Sequence, residues 1–205
     1  MTDVWAIILA AGASTRMGKQ KMLLPFQDKT IIETVIDTAA RTVEGNIMVV
    51  VGSNKEEIIG QIGNRPVKYC VNKYFTDGML SSVICGFKAL PDGASAVLIF
   101  LGDQPQIPKE AGDIVTKTWQ QNKKGIVIPT FEGRRGHPTL IETKYINDLV
   151  NLDPAKGLRS LFRKFKEDVL EVECNIPEIL RDIDTPEEYQ KEISKVKEYG
   201  TKNSV

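Results

Sequence analysis

The sequence predicts an α/β fold: a doubly wound, mostly parallel sheet with helices on both faces. Short apolar segments of strand length alternate with longer segments whose apolar residues recur at the helical period. The short segments are apolar on both faces, as buried strands of a parallel sheet are. The chain of 205 residues fits one domain, which we expect to span residues 1–199, with a frayed tail at 200–205.

Five strands and four helices alternate in the first part of the chain. The predicted strands are 4–9, 46–51, 67–71, 96–101 and 126–129. The predicted helices are 30–41, 55–62, 80–90 and 109–122. Ligands of such sheets bind at the carboxyl ends of the strands. We therefore expect the segments that follow strands 4–9 and 96–101 to converge.

The alternation changes after residue 129. A polar, glycine-rich segment at 131–138 and a short strand at 139–141 precede helical patterns at 144–152 and 157–165. A strand follows at 169–174. Pro186 then opens a terminal helix, expected to run to about residue 199, with Thr185 placed as its N-cap.

Composition excludes several classes of function. The 27 cationic and 27 anionic residues cancel, which argues against a nucleic-acid or membrane-surface protein. Cys70, Cys85 and Cys174 are odd in number and form no C-x-x-C pair, so we expect buried free thiols in a reducing compartment. The apolar run at 4–9 lacks the preceding cation of a secretory signal peptide. No apolar run reaches the length of a membrane span, so a cytoplasmic protein is expected.

The segment at 7–21 is the strongest candidate site. An apolar strand passes into small residues and then into Gly12, Gly18, Arg16, Lys19 and Lys21. Glycines let the backbone approach an anion and aim its N–H groups at phosphate oxygens, and the cations match a triphosphate. The spacing fits neither G-x-x-x-x-G-K-[ST] nor G-x-G-x-x-G. The alternative is an ordinary glycine-rich turn with solvated lysines.

Three carboxylates are candidates for a metal site. Asp103 follows the strand at 96–101, where a carboxylate suits Mg²⁺ bound through one or two carboxylates and substrate phosphates. Asp182 and Asp184 lie on one face of an extended segment, so either reaches such a metal. The alternatives are local: Asp103 bonding its own turn, and Asp184 or Thr185 capping the last helix.

Two polar loops complete the set of candidates. Asn72 and residues 74–82 open onto a helix, where Ser81 and Ser82 either cap the helix or help to frame a nucleobase and ribose beside Gly78. Residues 134–138 hold two arginines and His137, the single histidine of the chain. They form either a solvated turn or a receptor for an anionic substrate.

These motifs together resemble the MobA-like nucleotidyltransferases, in particular their molybdenum cofactor cytidylyltransferase group. The shared patterns are L-A-A-G-x-S-x-R-M-G-x-x-K-x-L-L-P at 9–25, N-x-x-[FY]-x-x-G-M-x-x-S at 72–82, G-D-Q-P at 102–105, R-G-H-P at 135–138 and D-I-D-T-P-E-[DE]-Y at 182–189. The resemblance implies a Rossmann-like fold of the nucleotide-diphospho-sugar transferase kind. It also implies transfer of CMP or GMP from Mg²⁺-NTP to the terminal phosphate of molybdopterin, with release of pyrophosphate.

The resemblance assigns roles to individual residues. It implies that Arg16, Lys21 and Asp103 are catalytic. It implies that Asp103 and Asp184 bind Mg²⁺, with Mn²⁺ as the alternative. It also implies that Arg135, Gly136 and His137 bind the acceptor. The nucleotide is expected to contact Leu9, Ala10, Ala11, Gly12, Ser14, Arg16, Lys21, Asn72, Gly78, Met79, Ser81, Ser82, Gly102 and Asp103.

Ala11 bears on the choice of base. The guanylyl branch has L-A-G-G where this chain has L-A-A-G, and the added methyl would crowd a purine, so CTP is expected rather than GTP. Other readings stay open: a cytidylyl- or guanylyltransferase with another phosphorylated acceptor, or a non-catalytic carrier that delivers molybdenum cofactor to a client molybdoenzyme. An oxidoreductase is disfavoured by the missing G-x-G-x-x-G, and neither nucleic acid nor membrane is expected as a partner.

Overall fold

The computed structural model describes residues 3–13, 17 and 20–202, with side chains to residue 195. Within these residues the main sheet contains eight strands. They are β1 (Asp3–Ala10), β4 (Ile47–Val51), β5 (Lys68–Val71), β6 (Ala94–Leu101), β7 (Ile126–Phe131), β8 (Arg134–Arg135), β9 (Thr139–Glu142) and β10 (Val169–Glu173). A separate two-stranded ribbon joins β2 (Pro25–Phe26) and β3 (Lys29–Thr30).

The sheet is mostly parallel, as predicted. Its order is β10-β7-β9-β6-β1-β4-β5, with β8 added to β7. β1 pairs in parallel with both β4 and β6, and Ile7 lies between Met48 and Ile99. β9 runs antiparallel between β6 and β7. The interior strand β1 therefore delivers residues 11–13 to the carboxyl edge of the sheet.

Seven α-helices accompany the sheet in the described part of the chain. They are α1 (Ile31–Thr42), α2 (Lys55–Ile62), α3 (Met79–Lys88), α4 (Lys109–Gln121), α5 (Ile146–Val150), α6 (Leu158–Lys164) and α7 (Pro186–Lys202). α1 begins after a capping box in which Thr30 and Glu33 exchange hydrogen bonds. α7 is capped by Thr185, whose hydroxyl accepts from the Glu188 N–H at 3.2 Å, so the predicted N-cap is confirmed.

Two cores lie on opposite faces of the sheet because side chains alternate along β1. Ala6, Ile8 and Ala10 pack with α1, α2 and α4. Ile7, Leu9 and Ala11 pack with α3, α5 and α6. α3 lies so close to the sheet that a Cβ on Gly86 would approach Ile7 Cγ2 to 2.8 Å. This packing fixes the N-terminus of α3 at the carboxyl edge.

The structure corrects several sequence expectations. β5 is an edge strand rather than a buried one, and Tyr69 on it is 50% exposed. The helix expected at 144–152 is a 3₁₀ turn followed by the short α5. α7 continues to Lys202, beyond the expected end, and residues 203–205 of the expected tail lie outside the described residues.

The cysteines are free, but two are less buried than expected. Cys70 and Cys85 are half-buried because β5 is an edge strand, and their sulfur atoms lie 3.6 Å apart. Burial raises the pKa of the Cys70 thiol to about 12. Cys174 is buried. Of the helices described, none is both long and apolar enough to cross a membrane.

Candidate active site

A cleft of about 320 Å³ opens at the carboxyl ends of β1 and β6. Gly102 ties these two ends together, since its N–H donates to the Leu9 carbonyl at 3.0 Å. A Cβ at residue 102 would lie 2.8 Å from that oxygen and 3.1 Å from Met22 Sδ, so only glycine fits. The predicted convergence of the two strand ends is confirmed. The cleft is lined by Leu9, Ala11, Gly12, Met17, Lys21, Met22, Phe75, Gly78, Met79, Ser82, Leu101, Asp103 and Asp184.

An ion-paired triad lies in this cleft. Lys21, on a 3₁₀ turn at Lys21–Leu23, directs Nζ to Asp103 Oδ2 at 2.6 Å and to Asp184 Oδ1 at 2.7 Å. Lys21, taken as a whole residue, is only 8% exposed. Burial alone would lower the pKa of Lys21, but the charge of Asp103 and hydrogen bonds to both carboxylates outweigh burial and raise that pKa. The ammonium is therefore held in its charged form against two carboxylates.

The segment that carries Asp184 is anchored at Ile183 and at Asp182. The Ile183 N–H donates to the Asp103 carbonyl at 3.2 Å. The Gln104 amide donates to Asp182 Oδ1 at 2.6 Å. Burial, and next the charge of Asp103, raise the pKa of Asp182. Asp184 thus contacts Lys21, whereas Asp182 is turned to Gln104.

The start of α3 forms one wall of the cleft through Gly78, Met79 and Ser82. Asn72 is buried and donates to the hydroxyls of Ser81 and Ser82 at 2.8 and 3.0 Å. Ser81 donates to backbone carbonyls, including that of Gly78 at 2.8 Å, so it does not cap α3. Neither Asn72 nor Ser81 is among the described residues lining the cleft. Their side chains take part in the hydrogen bonds around the start of α3, and their expected contact with the nucleotide stays a prediction.

Ala11 forms another part of the wall, on the face of the sheet that packs with α3. It is 4% exposed, and its carbonyl accepts from the Ser53 N–H at 3.2 Å. A Cβ at Gly52 would approach Ala11 Cβ to 2.8 Å and Phe75 Cβ to 2.9 Å. The side chain of the neighbouring Ala10 lies in the core on the α1 side, and the expected contact of Ala10 with the nucleotide stays a prediction. Ser14 and Arg16 lie outside the described residues.

A second, cationic cleft of about 860 Å³ adjoins the first and shares Met79 with it. Arg135, a predicted acceptor-binding residue, lies on its wall, and its guanidinium is paired with Glu171 Oε1 at 2.6 Å. The cations lining this cleft are Arg134, Arg135, Lys156, Arg159 and Arg163. A local basic patch on a chain of zero net charge is the pattern expected of an anion-binding site.

Gly136 and His137 lie between β8 and β9 and are fixed by close contacts with Ile179 and Ile99. The His137 N–H donates to the Ile179 carbonyl at 3.2 Å, and a Cβ on Gly136 would collide with that carbonyl. His137 Nδ1 lies 3.2 Å from the Ile99 carbonyl oxygen. Burial lowers the pKa of His137, against the opposing effects of the Ile99 carbonyl and Asp103. A neutral imidazole that donates from Nδ1 to Ile99 leaves Nε2 as an acceptor.

The donor set of the first cleft fits a hard divalent ion. One carboxylate oxygen of Asp103 and one of Asp184 converge on a single position, which the Lys21 ammonium occupies. Mg²⁺ prefers one or two carboxylates and completes its shell with water and phosphate. Among the described residues no group of three or more His, Cys, Asp or Glu side chains is placed to hold a metal ion.

Sequence reasoning missed several of these residues. Gly52 carries a signal only in hindsight, as the glycine directly after β4. Gln104 lies inside a recognised motif, but its bond to Asp182 spans 78 positions. Arg159 and Arg163 lie in the helix predicted at 157–165, which the structure confirms as α6, but the sequence did not indicate that they line the second cleft.

Comparisons with known proteins show the family and the fold of this chain. The profile of the MobA-like NTP transferase domain matches residues 6–169. The chain is 30% identical over 192 residues to the molybdenum cofactor cytidylyltransferase of Escherichia coli strain K12, covering 92% of this chain and 95% of that protein. It is 24% identical over 192 residues to nicotine blue oxidoreductase of Paenarthrobacter nicotinovorans, covering 90% and 94%. The crystal structure of Rv0371C of Mycobacterium tuberculosis H37Rv in complex with manganese superimposes with a TM-score of 0.77 at 22% identity, covering 94% of this chain and 99% of that one.

Proposed function

We propose that this chain transfers CMP from metal-bound CTP to the terminal phosphate of a molybdopterin-type cofactor. The premise is that the chain belongs to the MobA-like NTP transferase family and is a nucleotidyltransferase. The observation that carries the proposal is the Lys21–Asp103–Asp184 triad in a cleft that adjoins a cationic cleft. Two adjoining clefts suit a donor and an acceptor that must meet.

The donor side follows from charge. In the proposed reaction an acceptor phosphate oxygen attacks the α-phosphorus of CTP, the α–β bridging bond breaks, and pyrophosphate leaves. Such transfers depend on positioning and charge neutralisation rather than on a protein nucleophile. Lys21, together with Arg16, would neutralise the triphosphate and the charge that develops on pyrophosphate.

Asp103 and Asp184 would hold the divalent ion, Mg²⁺ or the Mn²⁺ that a structural neighbour contains. When bound, such an ion withdraws charge from the α-phosphate and aligns the reacting oxygens. The protein's own part is to keep the two carboxylates converged, which the anchored segment around Ile183 achieves.

The acceptor side rests on the second cleft. Arg135, Gly136 and His137 would face the acceptor, and Arg159 adds a guanidinium across the same cleft. Guanidinium groups bind phosphate bidentately. A neutral His137 oriented by the Ile99 carbonyl would offer Nε2 to a donor group of the acceptor.

The base assignment rests on Ala11. Its methyl group lies in the wall of the donor cleft, packed beside Gly52 and Phe75. A methyl-sized difference at such a wall is worth about 1–3 kcal/mol, or roughly 10–200-fold in kcat/KM. The kcat/KM for CTP should exceed that for GTP by that factor, and Ala11→Gly should reduce this difference. A gap that Ala11→Gly leaves unmoved would assign base choice to other groups.

Product analysis tests the proposal directly. The protein is incubated with Mg²⁺, purified molybdopterin-type cofactor and either CTP or GTP labelled at the α-phosphate, and products are identified by mass spectrometry. We expect a cytidine dinucleotide of the cofactor and pyrophosphate, both lost in Asp103→Asn. Transfer to a different phosphorylated acceptor would keep the chemistry and change the substrate. Redox activity without any consumption of CTP, in line with the oxidoreductase relative, would refute the proposal.

A further inference from the structure

The point on which the two carboxylates converge is already held by a cation of the protein itself. Lys21 Nζ contacts Asp103 Oδ2 at 2.6 Å and Asp184 Oδ1 at 2.7 Å. The three side chains are shielded, with exposures of 10%, 19% and 28% for Lys21, Asp103 and Asp184. The ammonium thus stands where a metal ion would share the same two oxygen atoms.

The two cations exclude each other from this point. A divalent ion bound to both oxygens needs metal–oxygen distances of about 2.0–2.1 Å for Mg²⁺, and Nζ lies within hydrogen-bond distance of the same atoms. Like charges this close repel strongly where solvent is largely excluded. Metal can therefore enter only when Lys21 leaves.

Lys21 has the freedom to leave. Its backbone is fixed, since the Leu24 N–H donates to the Lys21 carbonyl at 3.1 Å, but four rotatable side-chain torsions, as in any lysine, let Nζ move relative to that anchor. The cleft also contains Gly12 and Met17, on the loop expected to hold the triphosphate. The stem of a lysine is flexible and its ammonium a strong partner for phosphate.

We propose that Lys21 is a resident counter-ion that competes with the divalent metal for Asp103 and Asp184, and that the arriving triphosphate draws the ammonium away and opens the pair to metal. This step rests on the proposed function, because it takes the carboxylate pair as the metal site. The free protein then binds metal weakly, nucleotide and metal bind cooperatively, and the carboxylates stay converged when no metal is bound.

Metal binding without nucleotide tests the competition. Mn²⁺ is titrated into the whole protein and free Mn²⁺ is followed by electron paramagnetic resonance. We expect Lys21→Met to bind Mn²⁺ at least about tenfold more tightly than the natural chain, since two charge-assisted hydrogen bonds no longer oppose the metal. The matched control is Lys29→Met, which removes a lysine paired with Asp37 at 2.6 Å away from the cleft and should leave Mn²⁺ binding unchanged. Lys21→Gln serves as a second neutral variant if Lys21→Met does not fold.

A third variant separates the possible failures. Adding Asp184→Asn to Lys21→Met should abolish the gain, and saturating CTP should shrink the difference between the natural chain and Lys21→Met. Equal or weaker Mn²⁺ binding by both neutral Lys21 variants, with Asp184→Asn still harmful, would overturn the competition and leave the metal site intact. Mn²⁺ binding that Asp103→Asn and Asp184→Asn do not change would overturn the metal site itself, and the competition with it.

Discussion

A single methyl group at Gly52 is expected to disturb the nucleotide cleft. A Cβ built there would lie 2.8 Å from both the Cβ and the carbonyl oxygen of Ala11 and 2.9 Å from Phe75 Cβ. None of these atoms is the far end of a flexible side chain, so backbone must move to restore contacts of ordinary length. Ala11 and Phe75 both line the cleft, and the displacement is therefore passed to the proposed nucleotide site.

The magnitude follows from the crowding. Overpacking of this kind costs about 1–3 kcal/mol, which in a chain of this size lowers Tm by roughly 2–12 °C. A misplacement of about 1 Å in a positioning wall costs on the order of 100-fold in rate. Because the contacts fall about half an ångström or more short of the 3.4 Å at which ordinary van der Waals contact begins, we expect Gly52→Ala to lose roughly 10–100-fold in kcat/KM for CTP.

Gly60→Ala is the matched control. Gly60 lies inside α2, and a Cβ there meets no atom within 4 Å. Alanine is favoured over glycine in a helix by about 0.5–1 kcal/mol, so this variant should be more stable and fully active. Calorimetry and steady-state kinetics measure both variants. A Gly52→Ala protein as stable and as active as the natural chain would refute the inferred tight packing of the Ala11 wall.

Two further predictions concern the acceptor and acid stability. Arg135→Ala should weaken acceptor binding roughly 10–100-fold while CTP affinity stays near that of the natural chain; equal losses of both, measured by calorimetry, would contradict the division into two clefts. Burial alone would raise the pKa of Glu33, but hydrogen bonds from Thr30, Gln61 and Arg65 lower it from 4.5 to about 2. A lowered pKa stabilises the fold above about pH 4.5, and this contribution is lost as pH falls toward 2. In urea unfolding, Glu33→Gln should be less stable than the natural chain at pH 7 and show a smaller difference at pH 3.

Regular elements with a clear hydrophobic period were predictable from sequence. α1 was expected at 30–41 and spans Ile31–Thr42, and α2 has the predicted bounds. The direction of β9 and the exposure of β5 were not predictable, because both depend on which strands become neighbours. A strand segment looks the same in sequence at the edge of a sheet and near its centre.

The site was predictable to the level of motifs and not to the level of contacts. Asp103 and Lys21 follow from strand ends and cation spacing, and their convergence follows from parallel topology. Their direct ion pair does not follow, because the sequence does not say whether a lysine faces phosphate or carboxylate. Asn72 and Ser81 share a motif with Gly78, but the sequence does not show that the Asn72 amide donates to the Ser81 hydroxyl at 2.8 Å.

The carboxylate pair depends on the last part of the chain, beyond the segment that the family profile matches. That match ends at residue 169, yet Asp184 completes the triad across 163 positions. Its place is set by packing, because Ile183 is fully buried against Phe26 and Ile31 while its N–H bonds the Asp103 carbonyl. Burying an isoleucine contributes about 1.5–3 kcal/mol, and this packing holds the Asp184 carboxylate beside the negative charge of Asp103. An exposed turn would lack this contribution. The segment that docks Ile183 is therefore as much a part of the site as the glycine-rich loop that announces it in the sequence.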